Sequence, residues 1–272
     1  MTLHIDMSYT GAADDRGGVV WHILDYVAAQ SPRIVLLENV VGLTHGLFFG
    51  ELSDILTVLH EMEYIVNLNI LDSYEVGGVP QRRRRLYVIA LKSETIIDGC
   101  DFDDVIEHVW PPPITPSPLS SIFDPGPYVG ALPTAPHARA KVLELIESLS
   151  AGLRFERFSR ARLCRLPVAQ DCFGRSGAFT VDHTPCLTSR RAEDGGFWMF
   201  QRGRSLSTAE MFRLQGLELA DLRTEGVTER TLRSMVGRAF TLPVVGRILL
   251  RALPLVGLCP PHTHTLIDPW AP

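Results

Sequence analysis

The sequence predicts an α/β fold, with a partial doubly wound sheet and a smaller, irregular region. Two apolar runs, residues 34–37 and 86–91, are too short for helix faces and lack alternation, so they predict strands buried on both sides. Before the first run, apolar residues recur at helical spacing over residues 19–28 and stop at Ser31-Pro32. A helix that leads into a buried strand is half of a doubly wound unit.

Composition sets the broad class of the protein. The chain has 272 residues, 46% hydrophobic and 21% charged, which is enough for one sizeable domain and a smaller one. The net charge of -5 argues against a uniformly basic nucleic-acid binder, so any such contact needs a local patch. Five cysteines without a C-x-x-C pair indicate a reduced, intracellular protein. Without a signal peptide or an apolar run of ~18 residues, we expect a soluble protein with no membrane partner.

The remaining elements follow in order. Residues 52–62 carry a second helical pattern, and residues 64–71 alternate as a strand with Asn67 and Asn69 on its wetter face. Nine prolines within residues 110–136 predict an irregular linker that ends the sheet domain. A short helix over residues 142–149 follows. Arginines and phenylalanines then mix over residues 150–200, which suits either nucleic-acid contact or a solvated face.

Two polar stretches flank the predicted strands. Glu38-Asn39 ends the first strand, and ligands of open α/β sheets bind beyond the carboxyl ends of strands. A solvated junction between strand and loop explains the same residues equally well. The four arginines at 82–85 lead into the second strand and would repel one another without an anionic partner. The sequence therefore predicts a site for a phosphate or carboxylate there.

These stretches resemble two ordered motifs of the cytosine-5 DNA methyltransferases. The motifs are Glu-Asn-Val at residues 38–40 and Val-Pro-Gln-x-Arg-x-Arg at residues 79–85. The ninth motif of the family resembles residues 204–216, where Ser207 and Glu210 have capping-box spacing. Residues 14–17, 184–188 and 236–240 also resemble family segments, although Arg238 stands where asparagine is usual. Four motifs in the family's order make a chance match improbable.

The resemblance implies a Rossmann-like methyltransferase sheet with a target recognition region. It divides the chain into a partial catalytic domain (1–109), a linker with the recognition region (110–200), and C-terminal motifs that return to the catalytic domain (201–272). The implied activity is transfer of a methyl group from S-adenosylmethionine to carbon 5 of cytosine in DNA.

The resemblance also assigns roles to individual residues. Glu38 would bind the exocyclic amine and ring nitrogen 3 of the base, and a buried carboxylic acid in its protonated form can donate there. Arg85 would hold oxygen 2 and position Glu38, with Arg83 nearer the DNA backbone. The implied catalytic residues are Glu38, Arg83 and Arg85. The implied cofactor contacts are Asn39, Gly237 and Ala239. The implied DNA contacts are Gln81, Arg82, Arg84 and Arg204.

Two parts of the family pattern have no counterpart in these residues. The Pro-Cys-Gln nucleophile would precede residue 14, yet the first cysteine is Cys100, and the glycine-rich cofactor motif is not found. We therefore expect the C-terminal portion of a truncated or split enzyme, which is either a fragment of a longer gene product or is completed by a second chain, with residues 34–37 as an uncovered strand edge. Alternatives are a catalytically inactive DNA-binding or regulatory module and an RNA cytosine-5 methyltransferase. The implied location is intracellular, and nuclear if the source is eukaryotic.

Overall fold

A computed structural model describes residues 2–4, 18–97, 108–127, 132–152, 168–172, 178–259 and 267–270. Residues 14–17 and the arginines predicted as basic contacts between 154 and 165 lie outside the described residues. The strands are β1 (Thr2–His4), β2 (Ile34–Val40), β3 (Tyr64–Asp72), β4 (Arg84–Lys92), β5 (Val168–Gln170), β6 (Phe179–Val181), β7 (Trp198–Met199) and β8 (Arg204–Ser205). The helices are α1 (Val19–Gln30), α2 (Phe49–Glu61), α3 (Ser73–Val76), α4 (Pro136–Gly152), α5 (Ser189–Glu193), α6 (Thr208–Arg213), α7 (Glu229–Arg238) and α8 (Leu242–Leu255). Within these ranges, no helix is both long and apolar enough to cross a membrane.

The chain folds into two compact units. The first unit contains Met1–Gly77, Arg84–Thr115 and Leu242–Pro272, and the second contains Gly78–Arg83 and Pro116–Thr241. The polypeptide therefore passes from one unit to the other within the arginine-rich stretch. Residues 201–241 lie in the second unit, whereas the sequence-based division joins them to the catalytic domain.

The first unit is built on a mixed sheet with strand order β1-β2-β4-β3. The β2–β4 and β3–β4 pairs are antiparallel, and β1 pairs with β2 in parallel. The expected uncovered edge at residues 34–37 is wrong for Leu36 and Leu37, which pair with Thr2 and Leu3 of β1. Residues 1–13 show no periodicity, so this short strand was not predicted.

Helices α1 and α2 cover one face of this sheet. Val20, Leu24 and Ile55 pack with Leu37 and Val88 in one buried cluster. Successive strand residues face opposite sides, so Leu36 and Glu38 belong to the other face. Both predicted helices are confirmed, and Ser31 ends α1 in a left-handed conformation (φ 43°) just before Pro32.

Helix α8 ties the turn after α3 to the C-terminal part of the first unit. Arg247 on α8 is 2% exposed and donates hydrogen bonds to the carbonyls of Val76 and Pro112. Its Nε also pairs with the carboxylate of Asp268, 2.5 Å away. This arginine therefore fixes the turn from which the chain enters the arginine-rich stretch.

The second unit has a small antiparallel sheet with strand order β6-β5-β7-β8. The predicted capping box is confirmed: the Ser207 hydroxyl accepts from the Glu210 amide, and the Glu210 carboxylate accepts from the Ser207 amide. The predicted helix at 142–149 is longer and runs over Pro136–Gly152. Residues 109–127 are irregular apart from a 3-10 turn at Leu119–Ile122, as their prolines predict.

Candidate active site

Glu38 and Arg85 form an ion pair on the first unit's sheet. In the antiparallel β2–β4 register, Val40 lies opposite Arg85 and Tyr87 lies opposite Glu38, so Arg85 is the diagonal neighbour of Glu38 on the same face. Arg85 Nε lies 3.1 Å from Glu38 Oε1. The Glu38 side chain is 1% exposed and the Arg85 side chain 13% exposed. The structure thus brings together the two residues on which the sequence-based hypothesis depends.

Burial makes this ion pair important for the stability of the first unit. A carboxylate removed from water is costly unless a positive charge and hydrogen bonds compensate for the lost hydration. Arg85 Nη1 also donates to the carbonyl of Arg84 at 2.8 Å, which holds the guanidinium close to its own strand. Because both side chains come from paired strands of a sheet, their separation is set by backbone register and not by loop conformation.

Asn39 lies on the opposite face of β2 from Glu38. Its side-chain Oδ1 accepts a hydrogen bond from the Val40 amide at 2.7 Å. It lines a small pocket with Leu37, Leu43 and residues of α2. The pocket is walled mainly by apolar side chains, so Asn39 faces the helix-covered core of the unit.

The arginine-rich stretch alternates between buried and exposed side chains. Gln81 is 0% exposed and Arg83 is 1% exposed, whereas Arg82 and Arg84 are exposed. Gln81 was predicted as a DNA contact, but its amide is engaged inside the second unit. Its Nε2 donates to the Leu214 carbonyl at 2.9 Å, and its Oε1 accepts from the Leu187 amide at 2.7 Å.

Arg83 makes internal contacts as well. Its guanidinium donates to the carbonyls of Leu187 at 3.0 Å, Ala239 at 3.0 Å and Gly237 at 3.4 Å. It also lies 3.6 Å from the sulfur of Cys186. The side chain joins two segments of the second unit, and its implied role toward DNA stays a prediction.

The two residues predicted to bind the cofactor near the C-terminus are held by the protein. Gly237 lies in α7, and a Cβ added there would come within 2.3 Å of the Ser189 backbone. Arg238, in place of the usual asparagine, is exposed and leaves this close packing intact. The carbonyls of Gly237 and Ala239 are the acceptors for Arg83. Their visible role is to pack α7 against the start of α5.

Arg204 also has a partner within the second unit. Its Nη2 and Nη1 lie 2.6 and 2.7 Å from the two carboxylate oxygens of Glu210, which is 0% exposed. The hydrogen bond to Glu210 raises the pKa of Arg204 above its ordinary value. This bidentate pair holds β8 against α6, so the predicted DNA contact of Arg204 competes with an internal bond.

The sequence-based prediction did not include Tyr87. This residue lies directly opposite Glu38 in the strand register and is 1% exposed. It is two residues beyond Arg85 on β4 and therefore on the same face of the sheet. Strand periodicity counted from Arg85 is the signal that could have identified Tyr87 as a neighbour of the pair.

Comparison with known proteins relates this chain to a family of enzymes. Residues 6–131 match the family model described as C-5 cytosine-specific DNA methylase. A type II methyltransferase of Neisseria gonorrhoeae, M.NgoBI, is 24% identical over 237 residues, which cover 86% of this chain and 65% of that protein. M.HaeII of Haemophilus aegyptius is 38% identical over 82 residues, which cover 29% of this chain and 24% of that protein.

Solved structures show the same fold. A putative DNA modification methyltransferase encoded within an E. coli prophage matches with a TM-score of 0.58 and 17% identity, covering 94% of this chain and 78% of that one. The S. pombe Dnmt2 methyltransferase matches with a TM-score of 0.56 and 16% identity, covering 93% of this chain and 76% of that one. The chain thus spans less than two thirds of the curated relatives it matches and shares a mixed α/β fold with these enzymes.

Proposed function

We propose that this relative of the C-5 cytosine DNA methyltransferases supplies the base-binding part of such an enzyme. The reaction would transfer a methyl group from S-adenosylmethionine to carbon 5 of cytosine in DNA. The observation that carries the proposal is the buried contact of 3.1 Å between Glu38 Oε1 and Arg85 Nε. The family match over residues 6–131 supports the reaction class.

The pair is chemically complementary to cytosine. On its pairing edge, cytosine presents an exocyclic amine that donates and a carbonyl oxygen 2 that accepts. The Glu38 carboxylate accepts hydrogen bonds and the Arg85 guanidinium donates them, so side by side they match that edge. Uracil presents an acceptor where cytosine has its amine. A carboxylate at that point would repel it.

Reaching a base in duplex DNA requires that the base leave the stack. Extrusion costs a few kcal/mol, which contacts to the phosphates can offset. Arg84 is exposed, so its guanidinium group is available to phosphates. In the proposal Arg84 holds the backbone, and Glu38 with Arg85 holds the extruded base.

The proposal places the nucleophile and the methyl-donor site outside the residues that the structure describes. A thiolate must add to carbon 6 before carbon 5 can accept a methyl group. Burial raises the pKa of the Cys172 thiol to about 11, so this cysteine is a poor nucleophile near neutrality. Asn39, Gly237 and Ala239 make the internal contacts described above and do not fit a site for S-adenosylmethionine.

A mixing assay tests the proposal. The full chain is incubated with duplex DNA and labelled S-adenosylmethionine, with and without a co-expressed N-terminal fragment of a related methyltransferase. We expect transfer to cytosine only in the mixture, and loss of transfer when Glu38→Gln replaces the wild-type chain. DNA binding without transfer in any mixture would contradict the enzymatic proposal and leave a non-catalytic DNA-binding role.

A further inference from the structure

Strand β3 lies at one edge of the first unit's sheet. Among the described strands it pairs only with β4, and all nine residues of Tyr64–Asp72 are in register without a bulge. Residues 65–70 remain accessible to solvent, whereas β4 is buried from Leu86 to Lys92. The outer side of β3 therefore has backbone amides and carbonyls that no described strand pairs.

This edge lacks the features that usually protect an edge strand. Proteins commonly keep such strands short, or place lysine, proline or a bulge in them. At the other end of the described sheet, β1 has three residues, whereas β3 has nine and exceeds the usual length of about five or six. Residues 64–71 contain no charged residue, proline or glycine. A long, neutral edge of this kind is suited to pairing with another strand.

The sequence of β3 is complementary to itself. Residues 65–71 read Ile-Val-Asn-Leu-Asn-Ile-Leu, a pattern that is nearly the same in both directions about Leu68. In an antiparallel pair with a twofold axis at Leu68, Asn67 of each copy would lie opposite Asn69 of the other. A C2 interface requires this kind of self-complementarity, because the same surface serves both partners.

We propose that two copies of this chain form a dimer by antiparallel pairing of their β3 strands about Leu68. Leu68 is 38% exposed and would be covered by its counterpart, with Val66 and Ile70 on the same helix-covered face. The amides of Asn67 and Asn69 would meet on the other face. An amide has two donor hydrogens and an acceptor oxygen, so Asn67 can keep a contact within its own chain as well.

Charge and size indicate what kind of dimer this is. Because residues 64–71 are neutral, no like charges face each other across the axis. Asp72, the charged residue of β3, is 6% exposed and accepts a hydrogen bond from the Tyr74 amide of its own chain. The pairing uses about seven residues from each copy, fewer than the roughly 20–30 of a standard interface. We therefore expect a weak dimer, populated at micromolar concentrations.

Sedimentation velocity on the full chain tests the dimer over about two orders of magnitude of concentration in the micromolar range. Leu68→Lys places two positive charges opposite each other and removes two buried leucines, so we expect dimerisation to weaken by about tenfold or more. The control Tyr26→Lys changes a side chain on α1 that is 47% exposed, and it should dimerise like wild type. A wild-type chain that stays monomeric, that forms only larger aggregates, or that dimerises no better than Leu68→Lys would overturn the inference.

Cysteine cross-linking tests the register at concentrations where the dimer is populated. In Leu68→Cys the two thiols face each other, so a short bismaleimide should join two copies through residue 68, as detected by mass spectrometry. In Ile65→Cys the two thiols would lie roughly 20 Å apart along the strands and should not be joined. No joined peptide at residue 68, or equal yields at the two positions, would overturn the inference.

Hydrogen exchange gives a readout that needs no variant. In the wild-type chain, those amides of residues 65–70 that point away from β4 should exchange more slowly as concentration rises, because dimerisation pairs them. Exchange of β3 that is independent of concentration would overturn the inference. None of these measurements involves DNA, so their failure leaves the proposed function unaffected.

Discussion

Replacing Arg85 with methionine should destabilise the first unit strongly. The substitution keeps most of the apolar stem but removes the guanidinium that lies 3.1 Å from the Glu38 carboxylate. Glu38 is 1% exposed, so water cannot readily take over that role. Removing one partner of a buried ion pair typically costs about 3–5 kcal/mol. For a chain of this size, such a loss lowers the melting temperature by roughly 6–20 °C.

A double-mutant cycle measures the pair itself. Arg85→Met, Glu38→Gln and the double variant are unfolded in urea, and the coupling free energy is taken from the four stabilities. We expect the double variant to recover most of the loss, because no buried charge is left behind. The exposed neighbour Arg84→Met serves as the control and should stay within about 0.5 kcal/mol of wild type. An Arg85→Met variant as stable as that control, or a coupling free energy near zero, would show that the ion pair does not stabilise the first unit.

Three further predictions concern the rest of the chain. Gly237→Ala should destabilise the protein by about 1–3 kcal/mol, because its Cβ would enter the backbone at the start of α5. By contrast Gly50→Ala, whose Cβ meets nothing within 4 Å, should be neutral or stabilising by up to about 1 kcal/mol in thermal melts. Burial raises the pKa of the Cys172 thiol to about 11. The thiol therefore contributes fully to the free energy of unfolding below the pH at which ordinary thiols ionise, and this contribution falls as the pH rises to about 11. In urea titrations at increasing pH, Cys172→Ser should lack this decline. The hydrogen bond from Arg213 lowers the pKa of the Asp124 carboxyl group. Asp124 therefore contributes to the free energy of unfolding above the pH range in which ordinary aspartates ionise, and this contribution is lost as the pH falls. In urea titrations at decreasing pH, Asp124→Asn should lose less stability than wild type.

The sequence predicted correctly the elements with many apolar positions in a regular pattern and the helix with a recognisable N-terminal cap. The patterns of α1 and α2 and the two buried strands had enough apolar positions to fix their type, and Ser207 with Glu210 fixed a helix start. The proximity of Glu38 and Arg85 was also predicted from the sequence. One family motif lies at the end of β2, which carries Glu38, and the other lies at the start of β4, which carries Arg85. The three-residue strand β1 could not be predicted, since it pairs through its backbone and has no side-chain pattern of its own.

The roles within the arginine-rich stretch were harder to predict from sequence. Four consecutive arginines look alike in composition, and the inference of an anionic partner treated them as one group. The structure separates them by strand alternation: Arg83 is buried among carbonyls, and Arg82 and Arg84 are exposed. Burial of a charged side chain against backbone carbonyls depends on tertiary packing, here the close approach of α7 to α5 at Gly237. No local pattern encodes that approach.

Equilibrium binding to duplexes with a mismatched central base tests most directly whether Glu38 and Arg85 recognise cytosine. We expect the wild-type chain to bind a mismatched cytosine more tightly than a mismatched uracil, by roughly 5- to 150-fold for about 1–3 kcal/mol of discrimination. Glu38→Gln should abolish that preference, because an amide can donate to uracil as well as accept from cytosine, and the exposed control Glu61→Gln should retain it. Equal wild-type affinity for the two bases, or an unchanged preference in Glu38→Gln, would show that Glu38 and Arg85 do not recognise cytosine.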